Sequence, residues 1–509
     1  MRKLITTNAA KTIISGLITA YAITQVNFIL TWVCFVPLFM VLIKQSPKQS
    51  ATSGLLFGLT ISLTCFYWMV PGAVRFTGSS IIYGLLVYIV CSAILSGYFT
   101  LLAWCFGRLK KTLVNHTAAV LLNGLLAGCV FVVFESILML CSSRMPWFEF
   151  HSGMALANNL IAIQPAEYFG IHILSFTVIS VNYLIAGFIL AEHWKKLWIP
   201  ALVSGLYLLA GFVIMQAYTG PVKAHKVKVA ILAQNLPPET KWNDDTGNAL
   251  VQNMLQLNTT ATGMNPDIAL WSESAVPWTY RSDDDLVNEI LRISKPAGVT
   301  HILGINSEGG KSTVYNSVYS LTPSGSIAGR FDKQFLLAFI EQPFAGILFP
   351  FLSNAGDEVK PGEGSRTVNT PKGKAGIIVC NEATVSTASY DAVKQGAGFI
   401  LNLSNDGWFS NSYLVDLHFY HVRLRAVETR RDIVLNSNDG YSGMVNYRGE
   451  IIAKRKSTDS FVDSAMITPR RGITVVADKP MLFVYLCAIG IVYFIVSNIV
   501  ASKQRFTTT

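Results

Sequence analysis

A thiol, a carboxylate and an ammonium group stand at the ends of three apolar runs in this 509-residue chain. Cys380 follows Ala375-Gly376-Ile377-Ile378-Val379, Glu273 follows Ile268-Ala269-Leu270-Trp271-Ser272, and Lys333 follows Arg330-Phe331-Asp332. A cysteine alone is a modest nucleophile, because a pKa near ~8.5 leaves only about a few per cent thiolate at neutral pH. A carboxylate that takes the proton and a cation that favours the thiolate turn it into an acyl-transfer group. Positions 273, 333 and 380 are too far apart for one helix or turn, but a sheet whose strands end on one rim unites them. Singly, each residue also has an ordinary reading: Cys380 as a small core residue, Glu273 as the start of a turn before Pro277, Lys333 as a solvated charge.

The elements that must position these groups follow from periodicity. Strand-like runs fall at 227–234, 267–271, 301–306, 314–321, 375–380, 399–403, 433–436 and 444–447. Helical patterns fall at 249–261, 285–294, 389–396 and 416–431. Strands interleaved with helices over such a length predict a layered α/β domain.

The rest of the chain is of another kind. Hydrophobic residues make up 51% and charged residues only 14%, far from the usual soluble composition. Apolar stretches near the roughly 20 residues that span a bilayer occur at 9–26, 28–43, 53–70, 81–106, 118–140, 171–191, 197–218 and 481–501. The expectation is eight spans, seven before the α/β stretch and one after. Lys and Arg mark every second connection: Arg2, Lys3 and Lys11, then Lys44 and Lys48, then Arg108, Lys110 and Lys111, then Lys195 and Lys196, and finally Lys503 and Arg505. Arg75 and Arg144 are the basic residues of the intervening loops. The positive-inside rule therefore puts both termini in the cytoplasm and the α/β domain outside, with divisions at 1–221, 222–479 and 480–509. The formal charge of +10 is partly this topological signal and is no sign of nucleic-acid binding. The first segment, with its basic start and Ala20-Tyr21-Ala22, reads either as a retained span or as a cleavable signal peptide.

Cys380 is the only cysteine between 222 and 479; Cys34, Cys65, Cys91, Cys105, Cys129 and Cys487 fall inside the expected spans and Cys141 at the edge of one. With no disulfide partner in its own domain, Cys380 is left free to react.

Taken together, Trp271-Ser272-Glu273-Ser274-Ala275, Phe331-Asp332-Lys333 and Val379-Cys380-Asn381-Glu382 resemble the glutamate, lysine and cysteine motifs of the nitrilase superfamily, whose fold is a four-layer α-β-β-α sandwich. The membrane context narrows the resemblance to the apolipoprotein N-acyltransferase family, its membrane-embedded bacterial branch. Gln234 with Lys241-Trp242, Tyr315-Asn316-Ser317, Asn402 with Ser404-Asn405-Asp406-Gly407-Trp408-Phe409, and Arg425-Ala426 with Glu428 and Arg431 agree with it. The chain departs from the family pattern at Asn381, where tyrosine is common, and at Phe335, Ala338 and Ile340 beyond the lysine.

The resemblance implies eight spans with the first retained, Glu273 as general base, Lys333 as the cation beside the oxyanion, and Cys380 as the nucleophile that holds the acyl group. Glu341 and Glu382 would orient Lys333 or the incoming amine, and Trp242, Trp408 and Phe409 would line a lipid entrance. The donor would be a phospholipid and the acceptor a diacylated apolipoprotein, with no cofactor, in a monomer of the bacterial inner membrane whose catalytic face is periplasmic. The apolar run at 335–352, broken by Glu341, Gln342 and Pro343, would be a lid dipping into the lipid interface. His418 and His421 are two potential ligands without an evident third, so no metal site is expected. No P-loop, dinucleotide fingerprint or G-x-S-x-G elbow is present. A membrane-tethered amidase that uses water would keep the same three residues, whereas a non-enzymatic lipoprotein-binding protein would have no need of them.

Overall fold

The computed structural model describes residues 2–77, 80–111, 116–142, 145, 150–218, 225–236, 243, 246–337, 341–342, 358–409 and 411–507. The N-terminal half consists of helices α1 (Arg2–Thr24), α2 (Val36–Leu42), α3 (Pro47–Cys65), α4 (Met69–Thr77), α5 (Ile81–Leu109), α6 (Thr117–Ser142), α7 (Ala166–Phe169), α8 (Ile171–Leu190) and α9 (Trp198–Gln216). Among the described residues five stretches are long and apolar enough to cross a membrane: Pro47–Gly72, Ile81–Leu109, Thr117–Ser142, Ile171–Leu190 and Trp194–Gln216. Each has at least the 20 residues that cover a ~30 Å hydrocarbon core at ~1.5 Å per residue. The expected span at 28–43 takes a different form, a 3-10 turn (Leu30–Trp32) followed by the seven residues of α2. Asn182 of α8 caps this break, its Oδ1 accepting from Phe35 N (2.9 Å) and its Nδ2 donating to Thr31 O (3.0 Å).

Helices α3 and α5 approach through Gly54-x-x-x-Gly58. A Cβ at Gly54 would lie 2.3 Å from the Phe99 carbonyl oxygen, and one at Gly58 would lie 2.7 Å from Ser96 Cα. This is the small-residue contact that lets helices pack closely in lipid. The basic connections gather at one end of the bundle: Lys110 Nζ donates to the carbonyls of Leu42, Ile43 (2.9 Å) and Gln45 (2.7 Å), and Lys196 Nζ donates to Thr117 Oγ1.

The α/β half has two sheets. The first contains β1 (Val227–Ala233), β2 (Ile268–Leu270), β3 (Val276–Thr279), β4 (Thr300–Gly310), β5 (Thr313–Tyr315), β6 (Ser317–Leu321), β7 (Ile327–Asp332) and β8 (Glu358–Val359); the second contains β9 (Thr367–Thr370), β10 (Gly373–Val379), β11 (Phe399–Asn405), β12 (Ile433–Asn438), β13 (Tyr441–Val445) and β14 (Ile451–Lys456). A last strand, β15 (Phe461–Ile467), returns to the first sheet antiparallel to β1. The inner strands are parallel, β1 with β2 and β4 in one sheet and β10 with β11 and β12 in the other.

Alternation along each strand makes the layers. Val227, Val229 and Ile231 of β1 meet Ala375, Ile377 and Val379 of β10 in a core between the sheets. Ala230 and Leu232 point the other way, onto helices α10 (Gly247–Gly263) and α11 (Asp285–Ser294). Ile378 and Ile400 point away from the shared core onto α12 (Ser386–Lys394) and α13 (Leu414–Thr429). The order helix, sheet, sheet, helix explains why the central strands read as nearly unbroken apolar runs: both of their faces are covered.

Helix α13 also joins the halves. Phe419, Val422 and Ala426 pack on the second sheet, while Leu424 and Val427 belong to the core of the helical bundle. Arg423 Nη1 donates to the carbonyls of Ala157 (2.9 Å) and Asn158 (2.7 Å). Arg430, just past the helix, pairs with Glu167 of α7 at 2.7 Å. The chain then passes through α14 (Val475–Asp478) into α15 (Leu482–Thr507), which packs on α6 through Val484 and Cys487 against Val132.

Candidate active site

Three strand ends on one rim carry the three groups singled out by chemistry. Glu273 lies three residues past β2, Lys333 directly after β7 and Cys380 directly after β10. Lys333 Nζ is 3.1 Å from Glu273 Oε1 and 3.0 Å from Glu341 Oε1. Asn316 Nδ2 donates to the same two oxygens, at 2.8 Å to Glu273 and 3.2 Å to Glu341. Asn316 is also where the expected strand at 314–321 divides into β5 and β6, and its carbonyl accepts from Lys333 N at 2.8 Å.

The thiol is 3% exposed and the Lys333 side chain 1%. Cys380 has a φ of +49°, a left-handed conformation uncommon for a residue with a side chain, and one that turns the chain sharply out of β10. Burial pushes the thiol pKa well above its usual value; Glu273 and Asp406 add to this, and Lys333 opposes it. The resting sulfur is therefore protonated and needs a base. Burial also raises the Glu273 pKa, with Lys333 opposing and Glu341 reinforcing the rise. Burial works against charge on Lys333, but Glu273 and Glu341 outweigh it and hold the ammonium protonated. A carboxylate raised toward neutral pH beside a fixed cation is suited to proton exchange with a thiol.

Glu382 plays a different part from the one expected by resemblance. Its Oε1 accepts from the backbone N–H groups of Gln334 (3.0 Å) and Phe335 (3.2 Å) and from Arg366 Nη2 (3.2 Å), while Oε2 accepts from Val379 N (2.9 Å). It therefore braces the backbone on both sides of the site, and orients Lys333 only through the chain. Asn381 Nδ2 adds a second tie, to Phe335 O at 2.9 Å. Glu341, by contrast, touches Lys333 directly, at 3.0 Å.

A dyad that the sequence reading missed stands behind Cys380. His418 Nδ1 is 2.9 Å from Asp406 Oδ1, and its Nε2 is 2.9 Å from the Cys380 carbonyl oxygen. Burial disfavours charge on this ring, yet Asp406 outweighs it and raises the pKa. An imidazolium donating from both nitrogens would hold the strained turn in place. Arg366 was not singled out either, whereas Asn316 stands in the Tyr315-Asn316-Ser317 segment that agrees with the family, with no role assigned to it.

Beside the sulfur lies a pocket of about 50 Å³ lined by Leu337, Thr384, Phe409, Leu414, Leu417 and His421, among others. Its wall reaches the helical half, since the Phe409 and Trp68 rings are 6.3 Å apart. Of the expected entrance residues, Phe409 is thus at the pocket. Trp242 lies outside the described residues, as does the Trp408 side chain. Most of the expected lid, at 338–340 and 343–352, also lies outside them.

Comparison with known proteins gives this arrangement a family. A profile described as the apolipoprotein N-acyltransferase N-terminal domain matches residues 15–184, and one described as carbon-nitrogen hydrolase matches residues 228–478. The apolipoprotein N-acyltransferase of Geobacter metallireducens is 26% identical over 448 residues, covering 83% of this chain and 82% of that protein. Its counterpart from Vibrio parahaemolyticus is 26% identical over 461 residues, 86% of each. Among solved structures, Saccharomyces cerevisiae Nit3, of branch 10 of the nitrilase superfamily, is 17% identical and covers 50% of this chain and 94% of its own, with a TM-score of 0.38. Matched in its helical half and in its α/β half, and aligned with such relatives across both, this chain belongs to the apolipoprotein N-acyltransferase family.

Proposed function

We propose that this enzyme takes an acyl chain from a phospholipid, the sn-1 chain of phosphatidylethanolamine, and passes it through Cys380 to the α-amino group of the diacylglyceryl-cysteine at an apolipoprotein's N-terminus. The observation that carries this reading is a buried thiol with a carboxylate and an ammonium beside it, opening on an apolar pocket whose wall is shared with the membrane half. A hydrolase of soluble amides has no need of such a wall.

In the first half-reaction Glu273 takes the thiol proton as the sulfur attacks the ester carbonyl. The C–O bond breaks, the proton goes to the departing lysophospholipid oxygen, and a thioester remains on Cys380. Lys333 and the Asn381 N–H stabilise the oxyanion that forms on the way. In the second, the neutral amine attacks the thioester, Glu273 takes its proton, and the C–S bond breaks to give the amide. Glu273 then returns the proton to the sulfur. Ester gives amide, so no nucleotide is consumed. Trp242, Trp408 and Phe409 line the lipid entrance, with the segment at 335–352 as its lid.

The accompanying topology is eight spans, divided as 1–221, 222–479 and 480–509, in the bacterial inner membrane with the α/β domain on the periplasmic face, acting as a monomer. The gathering of basic connections at one end of the bundle supports this sidedness. The test is to incubate the purified protein with phosphatidylethanolamine labelled in the acyl chain. Hydroxylamine-sensitive label on Cys380 is expected, chased into amide by an amine-bearing diacylated lipopeptide. Label released as free acid in the presence of that acceptor would refute transfer.

A further inference from the structure

Three side chains with metal-binding chemistry meet inside the molecule away from the Cys380 pocket. Glu135 lies in the second half of α6, His151 in the segment that follows that helix, and His172 is the second residue of α8. They are 1%, 3% and 5% exposed, and their ligand-type atoms all lie within 4.8 Å of one another.

The hydrogen bonding around them is incomplete. Glu135 Oε1 accepts from Ser152 N at 2.8 Å, and Oε2 faces His151 Nδ1 at 3.3 Å. His172 Nδ1 is buried with no hydrogen-bond partner, and so is the Ser152 hydroxyl. The His151 and His172 rings are 6.0 Å apart and inclined at 71°, so they do not stack over one another. Among the described residues the Glu135 carboxylate has no lysine or arginine within ion-pairing distance; its one such partner is His151. Arg425 is engaged by Glu428 at 3.1 Å. A carboxylate this deeply buried requires a cation.

We propose that Glu135, His151 and His172 bind one divalent ion of the zinc type. Two imidazoles and one carboxylate form a donor set that zinc favours, and a tetrahedral ion completes its shell with a fourth ligand, for which the Ser152 hydroxyl or a water is placed. Bonds of about 2.0–2.2 Å put tetrahedral ligand atoms roughly 3.4 Å apart; Glu135 Oε2 and His151 Nδ1 already stand at 3.3 Å, so on binding the His172 donor and this pair close in from at most 4.8 Å. The ion would staple α6 to the start of α8 and to the segment leading to Ala157 and Asn158, the floor on which Arg423 of α13 rests. Its role would be structural, fixing the catalytic half on the helical half.

The test uses the full-length protein purified in detergent. It is equilibrated with buffered micromolar zinc, freed of unbound metal and analysed for metal content; cobalt(II) replaces zinc in a parallel sample read by visible absorption. Expected are about one ion per chain, tetrahedral cobalt bands without a thiolate charge-transfer band, and metal content at least ~10-fold lower in His172→Ala and Glu135→Gln. Cys380→Ala should retain the ion. A wild-type protein that takes up no stoichiometric metal overturns the proposal without recourse to any variant. Metal retained by both variants, or a thiolate band, overturns it equally by placing the ion elsewhere.

Discussion

The two halves of this molecule bury polar groups of different kinds. Inside the helical bundle they are mostly small and neutral, and they bond to backbone: Ser15 to the Cys34 carbonyl, Ser62 to that of Gly58, Asn182 to Thr31 and Phe35. In the α/β half neutral groups are joined by many full charges, with Glu273, Lys333, Arg366, Glu382, Asp406, Arg425 and Glu428 all less than 9% exposed. The surfaces differ in the opposite sense. Helix α5 exposes Ile82, Leu86 and Ile89, α9 exposes Leu206, Leu209 and Val213, and α15 exposes Ile489 and Val492, each by more than half. Apolar surface that would cost a soluble domain its solubility is at no disadvantage against lipid. Buried charge, by contrast, is expensive in any fold, and where it is concentrated the chain has a chemical use for it. The difference separates the part that holds the enzyme in the bilayer from the part that reacts.

The sharpest way to break this contrast is Cys380→Ala. Transfer from labelled phospholipid to a lipopeptide should fall by at least ~10³-fold, while circular dichroism and the unfolding midpoint in detergent stay unchanged. Undiminished transfer would remove the nucleophile. Next in size is the effect of pH on the wild type. Only the ionised form of Glu273 accepts a proton, and its pKa is raised by burial and by Glu341. The acylation rate should therefore drop about tenfold per pH unit below a midpoint that lies above the ordinary glutamate value of ~4.3. A midpoint at or below that value would disqualify Glu273 as the base.

Two substitutions then compare the halves directly. Glu382→Gln keeps the shape but strips the charge facing Arg366, so a loss approaching ~3 kcal/mol is expected in denaturant unfolding, with slower transfer. Asn182→Ala in the bundle removes only neutral bonds and should cost about 1 kcal/mol or less. Equal costs for the two would erase the distinction drawn between them.

Much of the reactive apparatus was legible because catalysis and folding write on the same strand ends. Cys380 and Glu273 each follow an apolar run, and the run itself records two covered faces; Lys333 ends β7, where Ile327 and Arg330 are exposed, and its signal is the Phe331-Asp332-Lys333 motif instead. The groups left unread act across the fold. Asp406 and His418 belong to different elements, and neither stands near Cys380 in sequence; Arg366 finds Glu382 only once β9 has paired with β10. Strand β14, Ile-Ile-Ala-Lys-Arg-Lys, escaped notice because its charges suit an edge rather than a core. In the bundle, apolar content located the segments but could not foresee that 28–43 breaks at the 3-10 turn, since the cap comes from Asn182, on another helix. The close approach at Gly54 and Gly58 is written in the sequence as a small-residue motif that hydropathy alone passes over.

The Glu382 carboxylate has a mechanical consequence. One side chain grips the backbone before Cys380 at Val379 and the backbone after Lys333 at Gln334 and Phe335. Two parts of the site that could have moved independently are geared together. Residues 334 and 335 and the turn bearing the sulfur are joined twice, through Glu382 and through Asn381 Nδ2 to the Phe335 carbonyl. For the transfer proposed above, the approach of an acyl chain and the alignment of the sulfur would share that coupling.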